Sequence, residues 1–381
     1  MSSVVILGKV ILKDRVLENG FLKIENGKIV HIGEKRESST DRVDYDFSNF
    51  YISPGFIDVH IHGAVGEDFL DCDYSEIERI TTFLASKGVT GFLPTIVTGP
   101  LTSMKLAVKK LERYIENQKA GARVLGMHLE GPFLNPKYKG AQPEEHILEP
   151  NIEFLEELYS PYLKLMTIAP EKDKEFKVIR YLKERNVIIS AGHTDASYDV
   201  MREAVLNGLS HITHLFNGMR PLHHRDPGIV GYALVNDDVS VEVIVDGYHL
   251  SDVILKMVTK LKSKEKILLV TDAMMATGLD DGEYKLSGQK VIVKNGRAVL
   301  ESGSLAGSTL TMDRAIKNMM SMTGIDIVEA VFMASYAPAK LLGIEDRKGS
   351  IDIGKDADIT VFDENLNIKM TMVKGKKVFP S

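Results

Sequence analysis

The chain has 381 residues, 44% of them hydrophobic and 26% charged, with a net charge of −6. That balance sustains a globular core of one large and one smaller unit and excludes extensive disorder. An acidic total also argues against a nucleic-acid surface, which would show a basic stripe.

No apolar run reaches the ~20 residues of a membrane helix. The stretch from Met1 to Val10, interrupted by Lys9, does not read as a secretory signal. Cys72 is the only cysteine, which excludes internal disulfides and fits a reducing, cytoplasmic setting.

From Val4 to Gly33 the sequence reads as short strands, with turns expected at Glu18-Asn19-Gly20 and Glu25-Asn26-Gly27. Residues 349–379 repeat this texture in Asp358-Ile359-Thr360-Val361-Phe362 and Val373-Lys374-Gly375-Lys376-Lys377-Val378. Neither end alone supplies enough strands for a stable sheet. Both ends, 1–52 and 345–381, are therefore expected to join in one small β-sandwich domain.

The middle, 53–344, alternates strands with helices. Eight buried-strand candidates run over 56–62, 90–97, 123–129, 163–168, 187–191, 210–215, 240–245 and 266–270. A helix over 75–87 is expected to open on a Ser75/Glu78 capping box and to end at Gly88. Another, over 326–342, opens on Asp326/Glu329 and ends at Gly343. Strand–helix alternation over this length predicts an α/β fold, a (β/α)₈ TIM barrel of ~250 residues. A doubly wound open sheet is the alternative. Residues 283–286 and 291–293, with Asn295-Gly296 following, read as a hairpin inserted after the eighth strand.

The strand ends carry the chemistry. His60-Ile61-His62 closes the first strand, and its period of two sends both imidazoles to one face. Alone, this pair reads equally as polar packing. Strand three ends in His128-Leu129-Glu130-Gly131-Pro132, strand five in Ala191-Gly192-His193-Thr194-Asp195, strand six holds His211-Ile212-Thr213-His214, and strand eight ends in Val270-Thr271-Asp272-Ala273. In a barrel these ends share one rim, where active sites are built.

Imidazole nitrogens with a carboxylate suit a divalent transition metal, Zn or Fe, one or two per subunit. His60, His62, Glu130, His193 and His214 are the candidate ligands, and Asp272 is the candidate proton shuttle. His211, at an odd spacing from His214, is expected on the opposite strand face as a packed residue. His128 is expected in the barrel interior or behind a ligand. His31 reads as structural, His146 as solvated and the methionines as core filling. Nothing near Cys72 activates it. Leu222-His223-His224-Arg225-Asp226 is a compact basic cluster suited to an anion, since Arg can clamp a phosphate bidentately.

With these residues in view, the chain resembles the amidohydrolase superfamily: His-x-His on strand one, an acidic ligand mid-barrel, histidines on strands five and six and Asp on strand eight. Where many members use a carboxylated lysine, Glu130 stands by resemblance. Within that superfamily, His128-Leu129-Glu130-Gly131-Pro132-Phe133-Leu134, Thr213-His214-Leu215-Phe216-Asn217-Gly218-Met219, Asp246-Gly247-Tyr248-His249 and Val270-Thr271-Asp272-Ala273 are similar to motifs of the N-acetylglucosamine-6-phosphate deacetylases. The resemblance covers essentially the whole chain.

It implies metal-dependent hydrolysis of the acetamide of N-acetyl-D-glucosamine 6-phosphate, in amino-sugar catabolism. It implies contacts of Ala141 and Gln142 with sugar and acetamide, although some members carry His at the Gln142 position. It further implies that Asn217, Gly218, Arg225 and His249 hold the sugar phosphate and that Leu305, Ala306 and Gly307 line the acetyl side. In related members a neighbouring subunit reaches the phosphate, which implies a homodimer. Alternatives on the same ligand pattern are an N-acetylgalactosamine-6-phosphate deacetylase, a cyclic-amide hydrolase and an adenine deaminase. A scaffold that has lost its chemistry would have lost these ligand types too.

Overall fold

The computed structural model describes residues 3–34 and 42–380; the parts of the expected terminal spans at 1–2, 35–41 and 381 lie outside the described residues. Eight parallel strands form the barrel. In chain order they are Phe56–Ile61, Val89–Val97, Met127–Glu130 (preceded by a short piece, Arg123–Val124), Leu163–Ile168, Ile188–Ala191, His211–Ile212, Ser240–Ile244 and Ile267–Val270. Each pairs with its sequence neighbour. Every residue of the first, second, seventh and eighth strands is buried. Continuous apolar runs of this kind mark parallel strands covered on both faces. The cylinder closes between the first and last strands, with a parallel bridge from Ile61 to Ala273.

The two chain ends form one seven-stranded sheet, in the spatial order Lys376–Phe379, Ile368–Val373, Ile359–Phe362, Tyr45–Pro54, Ser3–Ile11, Val16–Glu25, Lys28–Glu34. Its pairings are antiparallel apart from Ser3–Ile11 on Tyr45–Pro54. Ile6, Leu22, Ile29, Ile52 and Ile359 anchor its own core.

Local expectations are corrected at several points. Asn26-Gly27 is a turn, with φ of 51° and 77°. Asn19-Gly20 is not, because the strand Val16–Glu25 runs through it. A Cβ on Gly20 would sit 2.3 Å from Cγ2 of Val10, so the glycine serves close backbone approach beside a register shift.

The helix Tyr74–Ser86 opens on Asp73, not Ser75, and its capping box pairs Asp73 with Glu76. The expected single helix over 326–342 is two, Ile327–Ala334 and Tyr336–Leu341. Pro338 explains the break, since it has no N–H to give and its ring crowds the carbonyl four residues earlier, that of Ala334. The inserted hairpin is a three-stranded meander, Gly282–Leu286, Gln289–Lys294 and Arg297–Leu300, with a small core of its own. Among the described residues no helix is long and apolar enough to cross a membrane.

Candidate active site

The expected ligands converge at one mouth of the barrel around a single carboxylate. Oε1 of Glu130 lies 3.0 Å from Nε2 of His193, 3.0 Å from Nε2 of His214 and 3.6 Å from Nε2 of His60. Its Oε2 lies 3.4 Å from Nε2 of His62. Two triads able to hold an ion result, His60–His62–Glu130 and Glu130–His193–His214, each with its donor atoms within 4.8 Å of one another. Asp272 joins the first, with Oδ1 3.5 Å from His60 Nε2 and 3.2 Å from His62 Nε2.

The far side of each ring tests whether this donor set fits a metal. Nδ1 of His60 meets Glu242 Oε2 at 2.9 Å, that of His62 the Thr95 carbonyl at 3.2 Å, that of His193 the Tyr138 carbonyl at 2.9 Å, and that of His214 the Asn217 carbonyl at 3.1 Å. These partners only accept, so each Nδ1 carries the proton and each Nε2 turns a lone pair to the centre. Four lone pairs and a shared carboxylate suit a transition ion.

The electrostatics agree. Burial alone would raise the Glu130 pKa, yet the rings of His193, His214 and His62 hold it well below the usual range. Burial disfavours a charged ring at His60, but Glu242, Asp272 and Glu130 push its pKa up to about 9. Against burial, His60 and His62 hold Asp272 low, as an ionised carboxylate. The carboxylates thus draw positive charge to this point.

Backbone strain aims three of the candidate side chains. His193, His214 and Asp272 stand at the ends of strands five, six and eight with φ of 47°, 29° and 48°. Side-chain-bearing residues adopt this region rarely, and it clusters at functional sites. It also corrects the expected facing of His211. The sixth strand stops at Ile212 and the chain turns at His214. His211, its Nε2 3.1 Å from Glu242 Oε1, therefore joins the same interior network as His214. His128 is buried, with its ring edge-on to His60 at 4.8 Å and its nitrogens against Thr95 and Thr167.

A cavity of about 250 Å³ opens over the cluster. Of the expected residues it is lined by His62, Glu130, His193, His214, Asp272, Ala141, Gln142, Asn217, Gly218, His249, Leu305 and Gly307. Three others are elsewhere. His60 is fully buried beneath the cavity, Ala306 is buried in the core of the meander, and Arg225 stands on an exposed loop with Nη1 2.7 Å from His224 Nε2. Gln142 does not point its amide at open space: Oε1 accepts from the Thr98 N–H at 3.0 Å and Nε2 donates to Glu130 Oε2. His249 is held by Asp246, with Nδ1 2.7 Å from Oδ2.

Sequence reasoning missed Leu286 of the meander, Gly140 and Ser304 on the cavity wall. It also missed two fully buried acids below. Asp58 accepts from the Thr271 hydroxyl at 2.6 Å, and burial pushes its pKa up to about 7. Glu242 meets His60, His211 and the His214 amide, and despite burial the rings of His60 and His211 hold its pKa low. An acid inside the run Ser240-Val241-Glu242-Val243-Ile244 was the available signal.

Residues 51–378 match the Amidohydrolase family. The chain is 36% identical to the N-acetylglucosamine-6-phosphate deacetylase of Bacillus subtilis (strain 168) over 379 residues, covering 98% of this chain and 96% of the relative. It is also 36% identical to the N-acetylgalactosamine-6-phosphate deacetylase of Escherichia coli O157:H7 over 379 residues, 99% of each. The crystal structure of the N-acetylglucosamine-6-phosphate deacetylase of Thermotoga maritima superposes with a TM-score of 0.91 at 39% identity, covering 100% of both chains. Full-length likeness in sequence and fold, together with the ligand geometry, leads to one assignment: the chain belongs to the amidohydrolase family and, within it, to the N-acetylglucosamine-6-phosphate deacetylases.

Proposed function

We propose that this enzyme hydrolyses the acetamide of N-acetyl-D-glucosamine 6-phosphate to D-glucosamine 6-phosphate and acetate, in the cytoplasm, as a step of amino-sugar catabolism and recycling. The convergence of four imidazole Nε2 atoms and Asp272 on Glu130, under a cavity of about 250 Å³, carries this reading.

His60, His62, Glu130, His193 and His214 would hold Zn or Fe, and the two triads offer two places for an ion with Glu130 common to both. When bound, such an ion supplies Lewis-acid polarisation of the acyl oxygen and a reactive water at neutral pH. Asp272, ionised and facing the cavity, accepts the proton of the attacking water and returns it to the leaving nitrogen. Gln142 fixes Glu130 from the cavity side.

Substrate is oriented by Ala141, Asn217, Gly218 and His249, and Leu305 and Gly307 shape the acetyl side, with Ala306 packed behind them in the core of the meander. Asp246 anchors the His249 ring through Nδ1 and leaves its Nε2 edge for the substrate, where only a protonated Nε2 donates to the sugar phosphate. Among the described residues no lysine or arginine lines the cavity. On the family resemblance, the group that matches the phosphate is Arg225 of a second copy, in a homodimer.

The galactosamine epimer is a second reading, favoured by equal identity to a deacetylase of that sugar. The test measures acetate release from both 6-phosphates and from both free sugars, with and without a chelator. Metal-dependent release, fastest on the glucosamine derivative, is expected. Release that survives full metal removal would sink the mechanism, and preference for the galactosamine derivative would reassign the substrate.

A further inference from the structure

Glu242 sits in the middle of strand Ser240–Ile244 with no solvent exposure. A carboxylate buried to that degree is unfavourable unless it is paired and hydrogen-bonded. Here both oxygens are bonded within the site's own frame. Oε2 accepts from Nδ1–H of His60 at 2.9 Å and from the backbone N–H of His214 at 3.0 Å. Oε1 lies 3.1 Å from Nε2 of His211, whose Nδ1 lies 2.7 Å from the Ser240 hydroxyl. One oxygen thus touches a member of each triad: the ring of His60 and the chain that carries the ring of His214.

The contacts also act on different features. The bond to His60 fixes its tautomer and ring plane and makes its Nε2 a stronger donor. The bond to the His214 amide holds a backbone whose φ is 29°, a conformation that needs an external restraint. His211 is the third contact, and it reaches no ligand side chain. It packs the carboxylate from the strand-six side and leaves Oε2 to the two ligands.

We propose that Glu242 is a positioning residue that locks the His60–His62 and His193–His214 triads into one frame and so sets the metal affinity of the site. This inference rests on the metal reading above and fails separately from it.

The test titrates a chromophoric chelator against the Zn²⁺-loaded protein in wild type, Glu242→Gln and Glu242→Asp, with melting temperatures recorded for each. His211→Gln is the control, since it disturbs the other oxygen of Glu242 and no ligand. Wild type that holds no Zn²⁺ would overturn the metal reading itself. Given a loaded wild type, Glu242→Gln is expected to weaken Zn²⁺ about 10–100-fold, while the control stays within about threefold even where it melts as low. Glu242→Asp keeps the charge and gives up the reach; it is expected to lose about tenfold or more, and it decides the matter where Glu242→Gln is not recovered folded. Glu242 variants within about threefold of wild type, or a control that loses as much as they do, overturn the proposal.

Discussion

The backbone N–H of Asp272 donates to the carbonyl oxygen of His60 at 2.9 Å. This bond lies on the seam where the eighth strand meets the first, beside the one from His62 N–H to the Ala273 carbonyl at 2.8 Å. Closing the barrel and setting Asp272, the proposed proton shuttle, against His60 and His62, the first two proposed ligands, are therefore one event. The side chain follows, with Oδ1 within 3.2 Å of His62 Nε2.

Asp272→Asn keeps that backbone bond and the side-chain volume and removes the proton acceptor. Its kcat is expected to fall by about 10²–10⁴, the usual contribution of a positioned acid–base group. Metal content, measured by elemental analysis, is expected to match wild type. Loss of metal in parallel with rate would instead make Asp272 chiefly a ligand.

Much of this was legible in the sequence because barrel strands are buried on both faces and read as unbroken apolar runs. Polar residues then stand out where those runs stop, which is how Glu130, His193, His214 and Asp272 were found. Interior acids were harder. Glu242 interrupts its strand with an odd–even rhythm that a solvent-facing side chain would also give, and only closure of the barrel turns that face inward. Asp58 is hidden in the same way.

Local signals failed where two residues compete for one role. Asp73 and Ser75 both offer a cap, and the first reaches the Glu76 N–H at 3.0 Å. Asn19-Gly20 has the letters of a turn, but the packing of Val10 decides its use. The placement of Arg225 away from the cavity could not be read at all, since loop paths depend on contacts such as Arg220 with Asp195 and Asp226, at 2.8 Å each.

Arg225→Ala tests the phosphate assignment. Charge-assisted bonds contribute about 1.5–3 kcal/mol, so KM for the 6-phosphate is expected to rise roughly 10–100-fold with kcat nearly unchanged. The unphosphorylated sugar should not register the change. Equal KM for the phosphate in wild type and variant would remove Arg225, and with it the argument for a homodimer, from the site.

Gln142→Leu leaves the Thr98 N–H and Glu130 Oε2 without their partner inside a buried pocket. Each orphaned group costs about 1–3 kcal/mol. The variant is expected to melt lower and to bind Zn²⁺ about tenfold more weakly, because Glu130 loses a restraint. A variant that only raises KM would make Gln142 a substrate contact instead.

Asp68 is buried, its Oδ2 has no hydrogen-bond partner, and burial pushes its pKa from the usual 3.8 up to about 6. A carboxyl raised on folding stabilises the fold below the unfolded value, and that contribution disappears as pH rises through the folded value. From below the unfolded value of 3.8 to above the folded value of about 6, wild type should therefore lose roughly 3 kcal/mol from this group. Asp68→Asn should flatten that slope and be relatively more stable at pH 7 to 8. Parallel denaturation curves for the two proteins across this range would contradict the assignment.

The central claim is that Glu130, His193 and His214 share one cation. Anomalous scattering at the metal absorption edge, from crystals of the holoprotein, tests it most directly. A peak is predicted about 2.0–2.2 Å from Nε2 of His193, Nε2 of His214 and a Glu130 carboxylate oxygen. A fully occupied ion that touches none of these three, or active crystals with no peak at the barrel mouth, would contradict it.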